Sequence, residues 1–312
     1  MSAANITPLP PDLLMLERGW LSSNSLLMRG RDGGAEGAVI VDTGYCTHAE
    51  QTSALVRGAL KGQPLRSIVN THLHSDHCGG NARLAAEHGC RIVVPSGEFD
   101  AARDWDPARL SFAMAGQRCE RFDPTEAIAP GGTLEHGGRC WQALGAPGHD
   151  PHSLVLFEPE LGLLLSADAL WERGFGIVFP EIEGESGFDE VEATLDLIAA
   201  LPVRLVMPGH VRLFSDVAGA LAQARSRLAQ FRSDPVRHAR HAARALIVFH
   251  LLEVGPVAVS ALQAWLDATP IHGLMWERFF KPQPLHEWTR ELLTELAQSA
   301  AITVADGIVG TT

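Results

Sequence analysis

The chain has little cysteine, little positive charge and no long hydrophobic run. Its five cysteines, Cys46, Cys78, Cys90, Cys119 and Cys140, are odd in number and form no Cys-x-x-Cys pair. That pattern suggests neither a disulfide framework nor a thiolate zinc knuckle, so the thiols read as bystanders. Lysine and arginine total 25 against 37 aspartate and glutamate, a net charge of -12. Such a surface repels phosphate backbones and anionic lipid, and neither nucleic acid nor a membrane is expected as a partner. Residues Met1 to Glu17 hold no lysine or arginine and no long apolar run, and no later stretch is long enough to span a bilayer. No secretory leader is expected there, and the expected compartment is the cytoplasm.

What is present is a large apolar fraction. With 46% hydrophobic and 20% charged residues the chain can bury a substantial interior, and 312 residues exceed what one core usually serves. The expectation is a main domain over 1-234 and a smaller one over 235-312. Short strand signals at Leu13 to Leu16, Leu21 to Met28 and Ala38 to Asp42 flank a turn at Arg31-Asp32-Gly33-Gly34. Thr47 and Glu50 read as a capping box before a stripe of Leu55, Val56, Ala59 and Leu60. Strand and helix then alternate: Ser67 to Asn70, a helix from Gly79 to His88 closed by Gly89, and Ile92 to Val94. The period is lost from Glu98 to Asp123, as in an insertion. Strand signals return at Cys140 to Leu144, Ser153 to Phe157, Leu163 to Leu165 and Arg204 to Met207. A helix capped by Ser186 and one over about Ser215 to Phe231 lie among and after them. This is a layered α/β pattern. Beyond Pro235 come three helical patterns and a strand pair around Ala305-Asp306-Gly307.

The densest chemistry lies in Thr71-His72-Leu73-His74-Ser75-Asp76-His77, four metal-competent side chains at a strand end. In extended chain His72 and His74 share a side, and a following turn can aim Asp76 and His77 at a neighbouring point, which suits two metals better than one. His149, Asp168 and His210 each follow a later strand signal. The other histidines, His48, His88, His136, His238, His241, His250, His272 and His286, read as surface or core residues, and Cys78 as packing.

This set resembles the metallo-β-lactamase superfamily over roughly Leu13 to Phe214, and the run through Gly79-Gly80-Asn81 is similar to that of glyoxalase II and its thioesterase and lactonase relatives. The resemblance implies a four-layer αββα sandwich with metals at the shared edge of two sheets. It implies His72, His74 and His149 on one metal, Asp76, His77 and His210 on the other, and Asp168 between them. Asp42, in Val41-Asp42-Thr43-Gly44, would support the site from behind. Nitrogen and carboxylate donors suit zinc best and admit iron or manganese. Two such divalent ions make a water reactive at neutral pH, with Asp76 also orienting the nucleophile. The implied function is hydrolysis of a thioester, ester or lactone of small-molecule size.

Rival readings carry different expectations. A β-lactamase would need export. Histidine rather than glutamate at position 74 speaks against flavodiiron chemistry, and a mono-iron persulfide dioxygenase would leave His77 and His210 without a purpose. The tail resembles the winged-helix appendage of hydrolases that include endoribonucleases and other phosphodiesterases. Its charge from Pro235 on is 6 − 7 = −1 from Arg237, Arg240, Arg244, Arg278, Lys281 and Arg290 against Glu253, Asp267, Glu277, Glu287, Glu291, Glu295 and Asp306. That disfavours a phosphate-docking surface. Trp265, Trp276, Phe279, Phe280 and Trp288 suit packing over the main domain or between subunits, so a homodimer stays open. Trp171, Phe175 and Phe179, with Phe112, read as an apolar substrate wall, and Tyr45 and His152 as the proton donors nearest the ligand segments in sequence.

Overall fold

The computed structural model describes residues 8–31 and 34–312. The turn expected at positions 31–34 therefore falls partly outside the described residues.

A six-stranded sheet takes its strands in chain order: β1 (Leu13–Leu16), β2 (Ser25–Arg29), β3 (Ala38–Val41), β4 (Leu65–Val69), β5 (Arg91–Pro95) and β6 (Glu126–Ile128). The first three pair antiparallel, and β3 to β6 run parallel. Helices α1 (Ala49–Leu60), α2 (Ser75–Cys78), α3 (Asn81–His88) and α4 (Phe99–Asp104) lie along this stretch. A second sheet contains β7 (Thr133–His136), β8 (Arg139–Gly145), β9 (Leu154–Glu158), β10 (Leu163–Ala167) and β11 (Leu205–Pro208) in the order β11-β10-β9-β8-β7. In it only β10 and β11 run parallel. Its helices are α5 (Phe179–Glu183), α6 (Phe188–Ala200) and α7 (Val217–Ser233).

Alternation along the strands explains the layering. Leu26, Met28, Val39 and Val41 enter one cluster with Leu154, Leu156, Leu163 and Leu165 of the other sheet, so the two sheets face each other. The residues between them point outward: Leu27 and Ile40 meet Val56, Ala59 and Leu84 of α1 and α3. Val155, Phe157 and Leu164 meet Val191, Leu195 and Leu228 of α6 and α7. Both faces of each sheet are covered, which is why the strands read as nearly continuous apolar runs. The result is the expected αββα sandwich.

Downstream, Asp234 caps α8 (Pro235–Val254) by accepting the Arg237 N–H, with Pro235 at the first helical position. After it come β12 (Val257–Ala258), α9 (Val259–Ala268), α10 (Pro270–Met275), a wide turn Trp276–Phe280, α11 (Leu285–Gln298), β13 (Ile302–Ala305) and β14 (Ile308–Thr311). The strands form a three-stranded antiparallel sheet. Among the described residues no helix is long and apolar enough to cross a membrane.

Several local expectations are corrected. Thr47 lies inside a 3-10 turn, Cys46–His48, and neither that turn nor α1 has a side-chain cap, so the capping box is absent. Leu55 is 39% exposed, and Thr52 and Ser53 occupy the buried face instead. Ser186 bonds Glu190 rather than capping α6, whose first amides are met by Glu181. The stretch from Glu98 to Asp123 opens with α4 before irregular chain, and it is not peripheral: Ala101, Ala102, Leu110, Phe112 and Phe122 pack into the core beside α1 and α3. The tail aromatics pack largely within the tail. Trp288 is fully buried between Phe280 and His272, with ring centroids at 4.4 and 4.5 Å, and Trp265 stacks on His250 at 3.8 Å.

Candidate metal centre

All of the predicted ligands stand just beyond strand ends. After β4 the chain stays extended, so Leu73 turns into the core while His72 and His74 share the opposite side. The single turn of α2 then lifts Asp76 and His77. His149 follows β8, Asp168 follows β10 and His210 follows β11. The backbone around them is bent sharply: Asp42, Ala167 and Val211 hold φ of 58°, 46° and 65°, and Gly148 131°. For side chains other than glycine's each such position costs on the order of 1–3 kcal/mol, tolerated where the surroundings over-determine the chain. Two backbone bonds tie the two sheets together here, from Leu154 N to Thr71 O and from Asn24 N to Gly209 O, and a third, from Ser23 N to Asp76 O, fixes α2 against the loop before β2.

The side chains converge. The Nδ1 of His74 lies 2.7 Å from His149 Nε2 and 3.1 Å from His72 Nε2. On the other side Asp76 Oδ2 lies 3.0 Å from His210 Nε2, and His77 Nε2 lies 3.9 Å from Asp76 Oδ2. Asp168 spans the two groups, Oδ2 at 3.4 Å from His149 Nε2 and Oδ1 at 3.5 Å from His77 Nε2. Among the described residues, three sets have donor atoms close enough for one cation: His72, His74 and His149; His72, His77 and Asp168; Asp76, His77 and His210.

The outer hydrogen bonds decide where the ring protons sit. His149 Nδ1 faces the Ile177 carbonyl at 2.6 Å, which only accepts, so Nε2 carries the lone pair. His77 Nδ1 donates to Asp42 Oδ2 at 2.8 Å. Thr71 Oγ1 gives its proton to the same Asp42 oxygen and so accepts from His72 Nδ1 at 3.1 Å. Asp42 thus organises two ligand rings. The inward nitrogens are left with lone pairs crowded together, and His77 Nε2 is buried without a hydrogen-bond partner. A cation resolves that crowding, so the residues fit metal.

Electrostatics agree. Burial, then the charges of His77, His74 and His149, push His72 well below its usual value, and burial with His149 holds His74 down to about 4. Both are neutral donors at pH 7. Burial also works against a charge on His77, yet Asp168, Asp42 and Asp76 outweigh it and raise that ring well above its usual value. The same three carboxylates favour a metal cation at that spot. Asp168 is held well below the carboxylate range by His210, His77 and His149 against the opposing effect of burial.

Two glycines make room. A Cβ at Gly209 would lie 2.3 Å from Asp168 Oδ1, and one at Gly176 would lie 2.5 Å from His149 Nδ1. Both positions need backbone alone beside a ligand.

The centre floors a cavity of about 970 Å³. Of the expected wall, Trp171 and Phe179 line it: Trp171 donates its indole N–H to Asp168 Oδ1 at 3.2 Å, and Phe179 packs 5.1 Å from His74. The other expected pocket residues lie elsewhere. Phe175 is buried among α6 and α7 because its side of the loop faces the helices, and Phe112 packs beside α1 and Trp105. Tyr45 is fully buried; its hydroxyl accepts the Arg118 N–H at 3.1 Å, and burial raises its pKa, so it is no proton donor for the cavity. The His152 ring lies over Gly97, outside the cavity. Sequence reasoning missed Trp20, which stacks on His210 at 5.3 Å, together with Arg18, Arg227 and the cavity-facing side of α8. A helical pattern was expected after Pro235, but not what it would face.

Comparison with known proteins accords with this geometry. A sequence model described as the metallo-beta-lactamase superfamily matches residues 18–210. The chain is 31% identical over 141 residues to a hydroxyacylglutathione hydrolase of Synechococcus sp. (strain JA-3-3Ab), covering 45% of this chain and 47% of that one. It is 29% identical over 115 residues to the same-named enzyme of Hyphomonas neptunium, covering 37% and 38%. The chain thus spans less than half the length of these two curated relatives. Against the acyl-coenzyme A thioesterase MBLAC2 of Bos taurus it is 24% identical over 199 residues, covering 58% and 71%. Among solved structures, a metallo-beta-lactamase family protein of Thermus thermophilus shares the fold with a TM-score of 0.56 at 22% identity, over 98% of this chain and 100% of that one. Another protein, solved in a di-iron-bound form, shares it with a TM-score of 0.53 at 22% identity, over 68% and 98%.

Proposed function

The chain belongs to the metallo-beta-lactamase superfamily, and from that premise we propose that it is a metal-dependent hydrolase of thioesters, with esters or lactones as lesser substrates. The observation that carries the reading is the meeting of seven buried ligands, from four separate segments, on the floor of one large cavity. His72, His74 and His149 would hold one divalent ion, Asp76, His77 and His210 a second, and Asp168 would face both. Such a pair supplies Lewis acidity toward a carbonyl oxygen and toward water. The protein's own part is positional. Asp42 fixes two ligand rings, the Ile177 carbonyl fixes a third, and Trp171 holds Asp168 in its orientation. Trp20, Trp171 and Phe179 flank the centre and shield it in part from bulk water.

A thioester suits the site because a thiol, with a pKa near 8.5, departs near neutral pH without a protonating group, and no tyrosine or lysine lines the cavity. A phosphodiesterase reading fits less well, since the outer face of α11 presents Glu287, Glu291 and Glu295 beside Arg290. The test is a panel of thioesters, lactones, β-lactams and phosphodiesters assayed with zinc-, manganese- and iron-loaded protein, alongside metal analysis. Thioesters should be cleaved best, with close to two metals per chain. A metal content near zero after metal-replete growth, or phosphodiesters cleaved in preference to thioesters, would overturn the assignment.

A further inference from the structure

The long helix α8 turns His241, Arg244, Ala245, Val248, Phe249 and Leu252 toward the cavity. Steps of 3, 1, 3, 1 and 3 residues trace one face of a helix, and eleven residues at 1.5 Å each give a wall about 16 Å long. The wall is polar at its beginning and apolar at its end. At the beginning, Arg227 of α7 joins it, its guanidinium so close over Gly174 that a Cβ there would lie 2.7 Å from Nη1. Arg227 has no ion pair or hydrogen bond among the described residues. Arg244 donates to Ser299 Oγ at 3.1 Å and lies 3.8 Å from Glu295, whose nearer partner is Arg240, and the Arg244 Nε is buried without a partner. One guanidinium without a carboxylate and a second that shares its carboxylate with Arg240 are uncommon in a cavity of a chain of charge -12.

The two ends of the helix also map onto the two sides of the metal centre. Gly174 pairs with Trp171, whose indole holds Asp168, so the basic end adjoins the Asp168–His210 side. Ser75, between His74 and Asp76, donates to Gln117, whose neighbour Arg118 is bonded to Glu253 near the end of α8. The apolar end therefore adjoins the His74 side, where Met114 and Phe249 also line the cavity.

We propose that the substrate lies lengthwise along α8, with an apolar acyl chain between Met114, Val248, Phe249 and Leu252 and an anionic thiol carrier, bearing phosphate or carboxylate, held by Arg227, His241 and Arg244. This rests on the hydrolase reading and adds substrate class and direction to it. Guanidinium forks match either anion in two-point contact. His241, held down to about 4 by burial and then by Arg227 and Arg244, is neutral at pH 7 and serves as a hydrogen-bonding group between the two cations. Glu17 and Glu183 also line the cavity, and Glu172 lies with Arg173 in the turn beside Gly174, so the basic end carries one carboxylate against the guanidiniums of Arg173, Arg227 and Arg244. In the reaction the acyl carbon–sulfur bond breaks, the water oxygen joins the acyl carbon, and the water's protons are shared between the carboxylic acid and the thiol. No oxidant or reductant is needed.

The experiment compares octanoyl thioesters of N-acetylcysteamine (neutral), glutathione (carboxylates) and coenzyme A (phosphates) on the full, metal-loaded chain. At least one charged carrier should lower KM tenfold or more against the neutral one. Arg227→Gln and Arg244→Gln should shrink that ratio about tenfold, and 0.5 M salt should shrink it as well. Which carrier wins assigns the anion; equal KM on all three, or ratios unchanged in both variants, overturns the proposal. Val248→Trp should shorten the longest acyl chain accepted, and an unchanged chain-length profile in a variant that melts like the wild type counts against the apolar end. Binding is read separately, by quenching of tryptophan fluorescence with desulfo-coenzyme A and S-hexylglutathione. If no thioester is cleaved, the hydrolase reading fails; binding of an anionic probe that weakens tenfold in Arg227→Gln would still support the subsite, and no binding of either probe would sink it.

Discussion

One wall of the cavity is made of strand ends, and the opposite wall is one face of a helix. On the strand-end wall every ligand is buried, the rings of His72, His77 and His149 are oriented by Thr71, Asp42 and the Ile177 carbonyl, and the backbone beside the ligands is held in conformations that only dense packing sustains. On the helix wall the side chains are half-buried, Arg227 lacks a partner among the described residues, and the spacing tolerates exchange of one apolar residue for another. The first wall has the properties of a reaction centre, where a displacement of about 1 Å is costly; the second has those of a surface that chooses what reaches it. Substitutions on the first wall should therefore act on turnover and metal content, and those on the second on KM and substrate choice.

The largest effect that tests this division is expected from Asp168→Asn. The change keeps the size of a side chain that touches both ligand groups and removes its charge, so turnover should fall by about three orders of magnitude with metal content falling in parallel. Retained activity would erase the contrast between the walls. A smaller effect should follow from Gly209→Ala, which alters no ligand. Its methyl would meet Asp168 Oδ1 at 2.3 Å with His77 Cε1 at 2.9 Å, so one of them must move. Metal affinity should drop about 10–100-fold, the range seen when the supports of metal ligands are disturbed. Equilibrium titration with zinc measures it, and wild-type affinity would mean the strand-end wall is softer than its packing implies.

The two walls also differ in how much of them could be read in advance. His72, His74, Asp76 and His77 share a six-residue stretch, so their chemistry is compressed into one piece of chain, and the αββα layers follow from strands whose alternate residues serve two covered faces. His149, Asp168 and His210 were legible because each follows a strand and takes part in a recognisable set. The cavity's other lining was not. Phe175 and Phe179 sit four residues apart, in a loop and at the start of α5, yet one is buried against α7 and the other faces His74, a difference set by a turn through Gly176 that no period reveals. Tyr45 looked near the site in sequence and lies instead beneath it, against Phe249 at 5.3 Å. Trp20 reaches His210 from a loop before β2, a contact between residues 190 positions apart. Local chemistry carried in one segment can be read from that segment; a surface assembled from several loops and a distant helix depends on tertiary packing.

The smallest expected effect concerns how the helix wall is fastened. His238 of α8 accepts the Val178 N–H at 3.2 Å, one residue from Phe179, with the rings of Phe188 and Phe231 around it. Burial, then His241, holds its pKa down to about 3, and burial holds His272 in the tail core down to about 4. Both are neutral when folded and take up a proton when unfolded at about pH 6.5. Because the unfolded chain binds more protons below that point, these groups' contribution is fully present above about pH 6.5 and declines as the pH falls toward 4 and then 3. His238→Gln keeps an acceptor for the Val178 amide and removes the titration. Its melting temperature should lie below that of the wild type at pH 7.5, and the gap should narrow steadily down to pH 4. Metal ligands titrate identically in the two proteins, so they cancel in the difference. A gap independent of pH would mean that His238 fastens α8 by packing alone, and the helix wall would then be joined to the metal side more loosely than the Val178 bond implies.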